Sequence, residues 1–74
     1  MQVTVRLIGA FRIDRFKEKI TEYPDGTQVE TIFNELLIPR RALGTVLING
    51  IHARLEDALN DGDTLAFLPI LGGG

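Results

Sequence analysis

One segment of this chain carries a helical pattern, and that single stripe limits the folds open to it. Val29, Ile32, Phe33, Leu36 and Leu37 recur at i, i+3, i+4, i+7 and i+8, one apolar face of a helix about three turns long. Thr27 stands three residues before Glu30, the spacing of a capping box, in which each side chain satisfies an orphan backbone N–H at a helix start. Pro39 cannot continue the helix and disfavours the helical conformation at Ile38 before it. A helix over Gln28 to Leu37 is predicted, and its stripe must be buried against something other than a second helix.

The other apolar segments read as strands. Val3, Val5 and Leu7 alternate with Thr4 and Arg6 from Gln2 to Ile8, a half-buried strand ended by Gly9. A second strand is expected between Asp14 and Tyr23, with Phe16 and Ile20 on one face and Lys17, Lys19 and Thr21 on the other. Pro24-Asp25-Gly26 supplies a turn. Thr45-Val46-Leu47-Ile48 has the β-branched, apolar character of a buried central strand. Asn49-Gly50 is a strong hairpin signal, so Ile51 to Arg54 should fold back as a short antiparallel strand. Asp61-Gly62-Asp63 forms a turn into a last strand, Thr64 to Pro69. One helix on one face of a mixed sheet of four to five strands is a two-layer α+β domain. The first and last strands are expected side by side at the sheet centre, parallel, and joined by a right-handed crossover.

The 74 residues suit one domain, and without cysteine its stability rests on packing, which 45% hydrophobic content allows. A net charge of −2 weighs against a nucleic-acid binder. No apolar stretch approaches the roughly 20 residues of a membrane span. Met1 leads straight into the first strand pattern with no signal peptide. A cytoplasmic protein is expected.

The sequence ends in Gly72-Gly73-Gly74. Glycine lets backbone enter a channel too narrow for any side chain. The end is a bare carboxylate, ionised near neutral pH because such groups titrate at about 3.3–3.7. Either this carboxylate is the working group or the segment is a frayed end or linker. Other chemistry is poorly supported. With Gly62 as the sixth residue of a calcium loop, the third and twelfth would be Leu59 and Leu68, which are not ligands. His52, the only histidine, has no cysteine to share a zinc site with. Arg40 and Arg41 are too few to mark a nucleic-acid surface, and no helix follows the terminal glycines as a phosphate loop requires. Glu56, Asp57, Asp61 and Asp63 read as a solvated turn, with steering toward a basic partner as the alternative. No nucleophile–base–acid set is present, so an isolated chain that turns over a substrate is not expected.

The run from Asp61-Gly62-Asp63 through Thr64-Leu65-Ala66-Phe67-Leu68-Pro69-Ile70-Leu71 to Gly72-Gly73-Gly74 resembles the terminal signature of the MoaD/ThiS sulfur carriers, ubiquitin-like β-grasp proteins. It is nearest the MoaD branch, the small subunit of molybdopterin synthase, and the likeness in element order covers the whole chain. Leu7-Ile8-Gly9-Ala10 departs from the aromatic-alanine pair of many MoaD members, and Leu68 stands where an aromatic is frequent. The resemblance implies a β-grasp domain over residues 1–71 and a flexible glycine tail over 72–74. It implies that a ubiquitin-activating-like adenylyltransferase, consuming ATP, adenylates the Gly74 carboxylate. A persulfide sulfurtransferase or desulfurase then replaces the adenylate with sulfur, leaving a thiocarboxylate. That group donates sulfur in molybdopterin (molybdenum or tungsten cofactor) synthesis, with the catalytic residues on the large subunit. The alternatives are the thiazole of thiamin, as in the ThiS branch, or ligation to a target lysine as a ubiquitin-like modifier. Gly73 would give Gly74 access, and Leu68, Pro69, Ile70, Leu71 and Gly72 would meet the partner enzymes. Leu65 and Phe67 would face the core. The carrier would be a co-substrate with no bound cofactor or metal, and not an enzyme.

Overall fold

The computed structural model describes residues 1–71. Its elements are β1 (Gln2–Leu7), a 3-10 turn (Gly9–Arg12), β2 (Glu18–Glu22), α1 (Val29–Glu35), a second 3-10 turn (Arg40–Ala42), β3 (Leu43–Ile48), β4 (Ile51–His52) and β5 (Thr64–Pro69). The five strands form one mixed sheet in the order β2-β1-β5-β3-β4. β1 runs antiparallel to β2 and parallel to β5, and β5 runs antiparallel to β3. This is the ubiquitin-like β-grasp arrangement, with the parallel pair at the centre as the sequence predicts. β3 lies one place from the middle, which β5 occupies.

Alternation decides what faces the helix. Val3, Val5 and Leu7 of β1, with Leu65 and Phe67 of β5, are at most 2% exposed and lie beneath Val29, Ile32 and Phe33 of α1. The Phe33 and Phe67 rings meet at 5.3 Å and 57°, a tilted contact that adds about 0.5–1.5 kcal/mol to burial. Phe11, from the 3-10 turn after β1, closes the same core. Its segment has no periodicity, and sequence patterning missed it.

Two features of α1 differ from expectation. The capping box does not form: Gln28 is the N-cap without a side-chain bond, and Thr27 Oγ1 donates to the Pro24 carbonyl at 2.7 Å. The first-turn donors are satisfied from elsewhere in the chain. Val29 N–H donates to the Asp57 carbonyl (3.0 Å) and Glu30 N–H to the Leu55 carbonyl (2.8 Å). Glu30 instead faces Arg40 at 3.6 Å. The helix is also shorter than predicted. Leu36 is its C-cap, and Leu37 takes φ +56° and is 84% exposed. Pro39 forbids the next turn, so the chain leaves through a left-handed residue. Arg15 covers the end, its Nε donating to the Leu36 carbonyl at 3.1 Å.

The predicted second strand begins later and points differently. Ile20 pairs with Thr4 on the face away from α1 and is 60% exposed, while Lys19 pairs with Val5 and Thr21 with Val3 on the helix side. Phe16, just before β2, turns inward and packs on the core. Tyr23, just past β2, donates its hydroxyl to Glu35 Oε1 at 2.9 Å. Burial first, then the bond to Glu35 and its charge, push the phenol up to about 12.

Asn49 and Gly50 take φ +53° and +81°, the left-handed pair a tight two-residue hairpin requires. The returning strand is β4 alone and does not reach Arg54. Asn49 also corrects the reading of the acidic group. Asp63 is 8% exposed, its Oδ1 accepting from Asn49 Nδ2 (2.9 Å) and its Oδ2 from the Asn60 N–H (2.8 Å). Asn49 Oδ1 in turn accepts from the Thr64 N–H at 2.9 Å. Asp57 accepts from the Arg54 N–H and Asp61 from the Gln2 N–H. Three of the four acidic side chains therefore hold turns together. Among the described residues no helix is long and apolar enough to cross a membrane.

Candidate functional site

The described residues singled out around the C-terminal end lie along the last part of β5 and the two residues after it. Leu65 and Phe67 point to the core, as expected, and Ala66 and Leu68 point to the opposite face, where both are half-buried. Leu68 lies opposite Thr45, and Ala66 opposite Leu47. The helix-free face thus carries a half-buried strip of Thr45, Leu47, Ala66 and Leu68 that runs into Pro69. Thr45 and Leu47 were not candidates, because an almost wholly apolar run hides which residues alternate outward.

The root of the terminal segment is held from both sides. The Ile8 N–H donates to the Phe67 carbonyl at 3.2 Å, and the Ile70 N–H donates to the Ala42 carbonyl at 3.0 Å. Pro69 has no N–H and sits at the last position of its strand, where a missing ladder bond is tolerated. It pairs with Leu43, and the register slips between Leu43 and Thr45. Gly44 lies in that irregularity. A Cβ there would stand 2.7 Å from the Pro69 carbonyl oxygen and 2.9 Å from the Ile70 nitrogen, so only glycine admits the chain this closely. Beyond this grip, Ile70 is 53% and Leu71 90% exposed.

Leu68, Pro69, Ile70 and Leu71 therefore form one continuous exit from the sheet, half-buried at first and then open to solvent. Gly72, Gly73 and Gly74 lie outside the described residues. Among the described residues no three His, Asp or Glu side chains converge on a metal-sized site, and His52 lies on the exposed β4.

The family model described as the ThiS family matches residues 5–74. No curated protein sequence matches the chain. Among solved structures, SAMP1 from Haloferax volcanii is 21% identical over the full length of both chains, with a TM-score of 0.79. The complex of subunits 1 and 2 of the molybdopterin-converting factor from Helicobacter pylori contains a chain 25% identical over the full length of both, with a TM-score of 0.69. Urm1 from Trypanosoma brucei is 20% identical, covering 99% of this chain and 95% of its own, with a TM-score of 0.73. This chain belongs to the ThiS family of small ubiquitin-like sulfur carriers.

Proposed function

We propose that this protein carries sulfur on the carboxylate of Gly74 for molybdopterin synthesis, acting as the small subunit beside a large catalytic one. The observation that carries this reading is the grip on the β5 exit. A carrier needs a rigid body that delivers a short, bare end, and here the chain is held as far as Ile70 and exposed from there. The family match through Gly74 and the likeness to a chain of the Helicobacter complex support it.

A carboxylate is a poor acyl donor because its oxygen does not leave. Attack of that oxygen on the α-phosphorus of ATP, releasing pyrophosphate, makes an acyl adenylate whose AMP does leave. The terminal sulfur of a persulfide displaces AMP, and a thiol then takes the other sulfur of the resulting acyl disulfide, freeing the thiocarboxylate. All of these groups are supplied by the activating enzyme and the sulfur donor. This chain contributes the acyl carbon, glycine at Gly73 and Gly74 to pass a narrow channel, and the strip from Leu47 to Leu68 with Ile70 and Leu71 as docking surface.

The test is intact mass after incubation with an activating enzyme, ATP and a persulfide donor. One oxygen exchanged for sulfur is expected, and Gly74→Ala should stay unmodified while melting like the parent. Normal thiocarboxylation of Gly74→Ala would overturn the proposal. In a second reading, the likeness to the structure described as small archaeal modifier protein 1 of H. volcanii supports ligation of the same activated carboxylate to a lysine, and adducts on a denaturing gel would identify it. Delivery to the thiazole of thiamin fits the ThiS family match equally well. Sulfur transfer from the loaded chain to a pterin precursor or to a thiazole precursor separates the two.

A further inference from the structure

A cleft with a volume of about 610 Å³ lies away from β5, between β2 and α1. That is within the range of about 300–1,000 Å³ typical of occupied sites. Phe16, Ile32 and Leu36 give it an apolar lining, and Arg15, Lys19, Glu22 and Glu35 are its charged residues. The Lys19 ammonium lies 5.8 Å from the centre of the Phe16 ring. Glu35 is already engaged by the Tyr23 hydroxyl. Among the described residues Arg15 donates to backbone carbonyls and pairs with no carboxylate. Glu22, the other acidic residue of the lining, is drawn to the terminal ammonium at 3.9 Å, which leaves Arg15 and Lys19 as the charges nearest Phe16.

Beside this cleft runs an unused sheet edge. β2 is one of the two edge strands, and among the described residues it pairs with β1 alone. The Leu7 N–H donates to the Lys17 carbonyl (3.0 Å) and the Tyr23 N–H to the Met1 carbonyl (2.8 Å). By the alternation of an antiparallel ladder, Lys17, Lys19, Thr21 and Tyr23 turn their amides toward β1, and Glu18, Ile20 and Glu22 turn theirs outward. Edge strands are ordinarily guarded by charge. Here the Lys19 side chain lies on the cleft side of the strand, where it favours an incoming carboxylate.

We propose that the β2 edge and the β2–α1 cleft together bind an extended segment of a partner protein, added to the sheet as a further strand, with alternate apolar side chains in the cleft and a carboxylate beside Lys19. The backbone pairing supplies affinity and the cleft supplies selectivity. The outward amides of Glu18, Ile20 and Glu22 recur at the repeat of an extended polypeptide backbone, and the net charge of −2 disfavours a nucleic acid, so a polypeptide is the better fit. β1 separates β2 from β5, so an occupied cleft leaves the exit at Leu71 open and the two sites can be engaged at once.

The test is titration of the ¹⁵N-labelled full chain with the peptide acetyl-Thr-Val-Thr-Val-Thr-Leu-Glu-Glu-amide, followed by amide shifts. Changes concentrated at Glu18, Ile20 and Glu22 and around Phe16 and Leu36 are expected. Binding should weaken about tenfold in Ile20→Pro, which removes one outward N–H from an edge strand that tolerates proline. Lys19→Glu leaves the edge intact and should weaken binding about fivefold, with the difference shrinking at high salt. A peptide with lysines in place of both glutamates should bind the parent more weakly and Lys19→Glu more tightly. No shifts, shifts confined to the opposite face of the sheet, or insensitivity to Lys19→Glu would overturn the proposal. So would concentration-dependent shifts at Glu18–Glu22 without peptide, which would assign the edge to a second copy of this chain.

Discussion

Gly44→Ala tests the reasoning about the exit most directly. The added methyl would stand 2.7 Å from the Pro69 oxygen and 2.9 Å from both the Pro69 carbonyl carbon and the Ile70 nitrogen. All three neighbours are backbone, so no flexible side chain can swing away. Ordinary carbon contacts lie near 3.5 Å, so β5 must retreat by about 0.5–0.8 Å. Overpacking of this kind costs about 1–3 kcal/mol. The retreat also strains the bond from the Ile70 N–H to the Ala42 carbonyl, worth about 1 kcal/mol. Alanine returns about 0.5–1 kcal/mol by restricting the unfolded chain. The net loss is about 2 kcal/mol, and for a domain of this size the melting temperature should fall by about 8–16 °C. Thermal unfolding followed by circular dichroism measures it. Gly50→Ala is the control: nothing lies within 4 Å of its Cβ position, but its φ is +81°. Its loss should be recovered by Gly50→Asn, because asparagine tolerates that conformation, whereas Gly44→Asn should be no better than Gly44→Ala. A Gly44→Ala protein that melts with the parent would refute the argument that the exit is gripped by close backbone packing.

Two further predictions concern the helix and its margin. Leu37→Asn should raise the melting temperature by a few degrees, because Leu37 holds φ +56° with its side chain 84% exposed and asparagine relieves about 1 kcal/mol of left-handed strain; a lower melting temperature would refute it. Tyr23 is the only tyrosine and there is no tryptophan, so tyrosinate absorbance reports it alone, with a midpoint expected near 12 that moves down in Glu35→Gln. The unfolded phenol titrates near 10, so the unfolded state loses a proton that the folded state keeps. Stability should be fully present below about pH 10 and be lost as pH rises toward 12; a midpoint near 10 in the folded protein would refute it.

Where patterning was local, the sequence was readable. Val3, Val5 and Leu7 declared their face, Asn49-Gly50 its turn, and Thr64 to Pro69 the strand with its observed limits. Features that depend on distant partners were not readable. Thr27 and Glu30 have the right spacing for a cap, but the carbonyls of Leu55 and Asp57 reach the helix start first. Alternation correctly separated Ile20 from Lys19, but only the pairing with β1 decides which of them faces α1. Asp63 looks like any turn carboxylate until Asn49 folds onto it. In the site, Ile70 and Leu71 are open to solvent, as residues expected to meet a partner must be. The role of Gly44 was hidden, because a close approach between β3 and the end of β5 leaves no periodic trace.

The place of β5 between β1 and β3 also bears on the order of events during folding. Thr4 pairs with Thr64, sixty residues further along the chain. Until β5 arrives, β2-β1 and β3-β4 are two separate ribbons with no edge in common. Closing so long a loop costs entropy before any contact returns it, which makes such topologies slow for their size. The strand that completes the sheet is the one that leads directly into the terminal glycines. The continuous sheet therefore exists only once β5 has paired on both sides, and a released but partly folded chain carries its terminal glycines with no complete domain behind them.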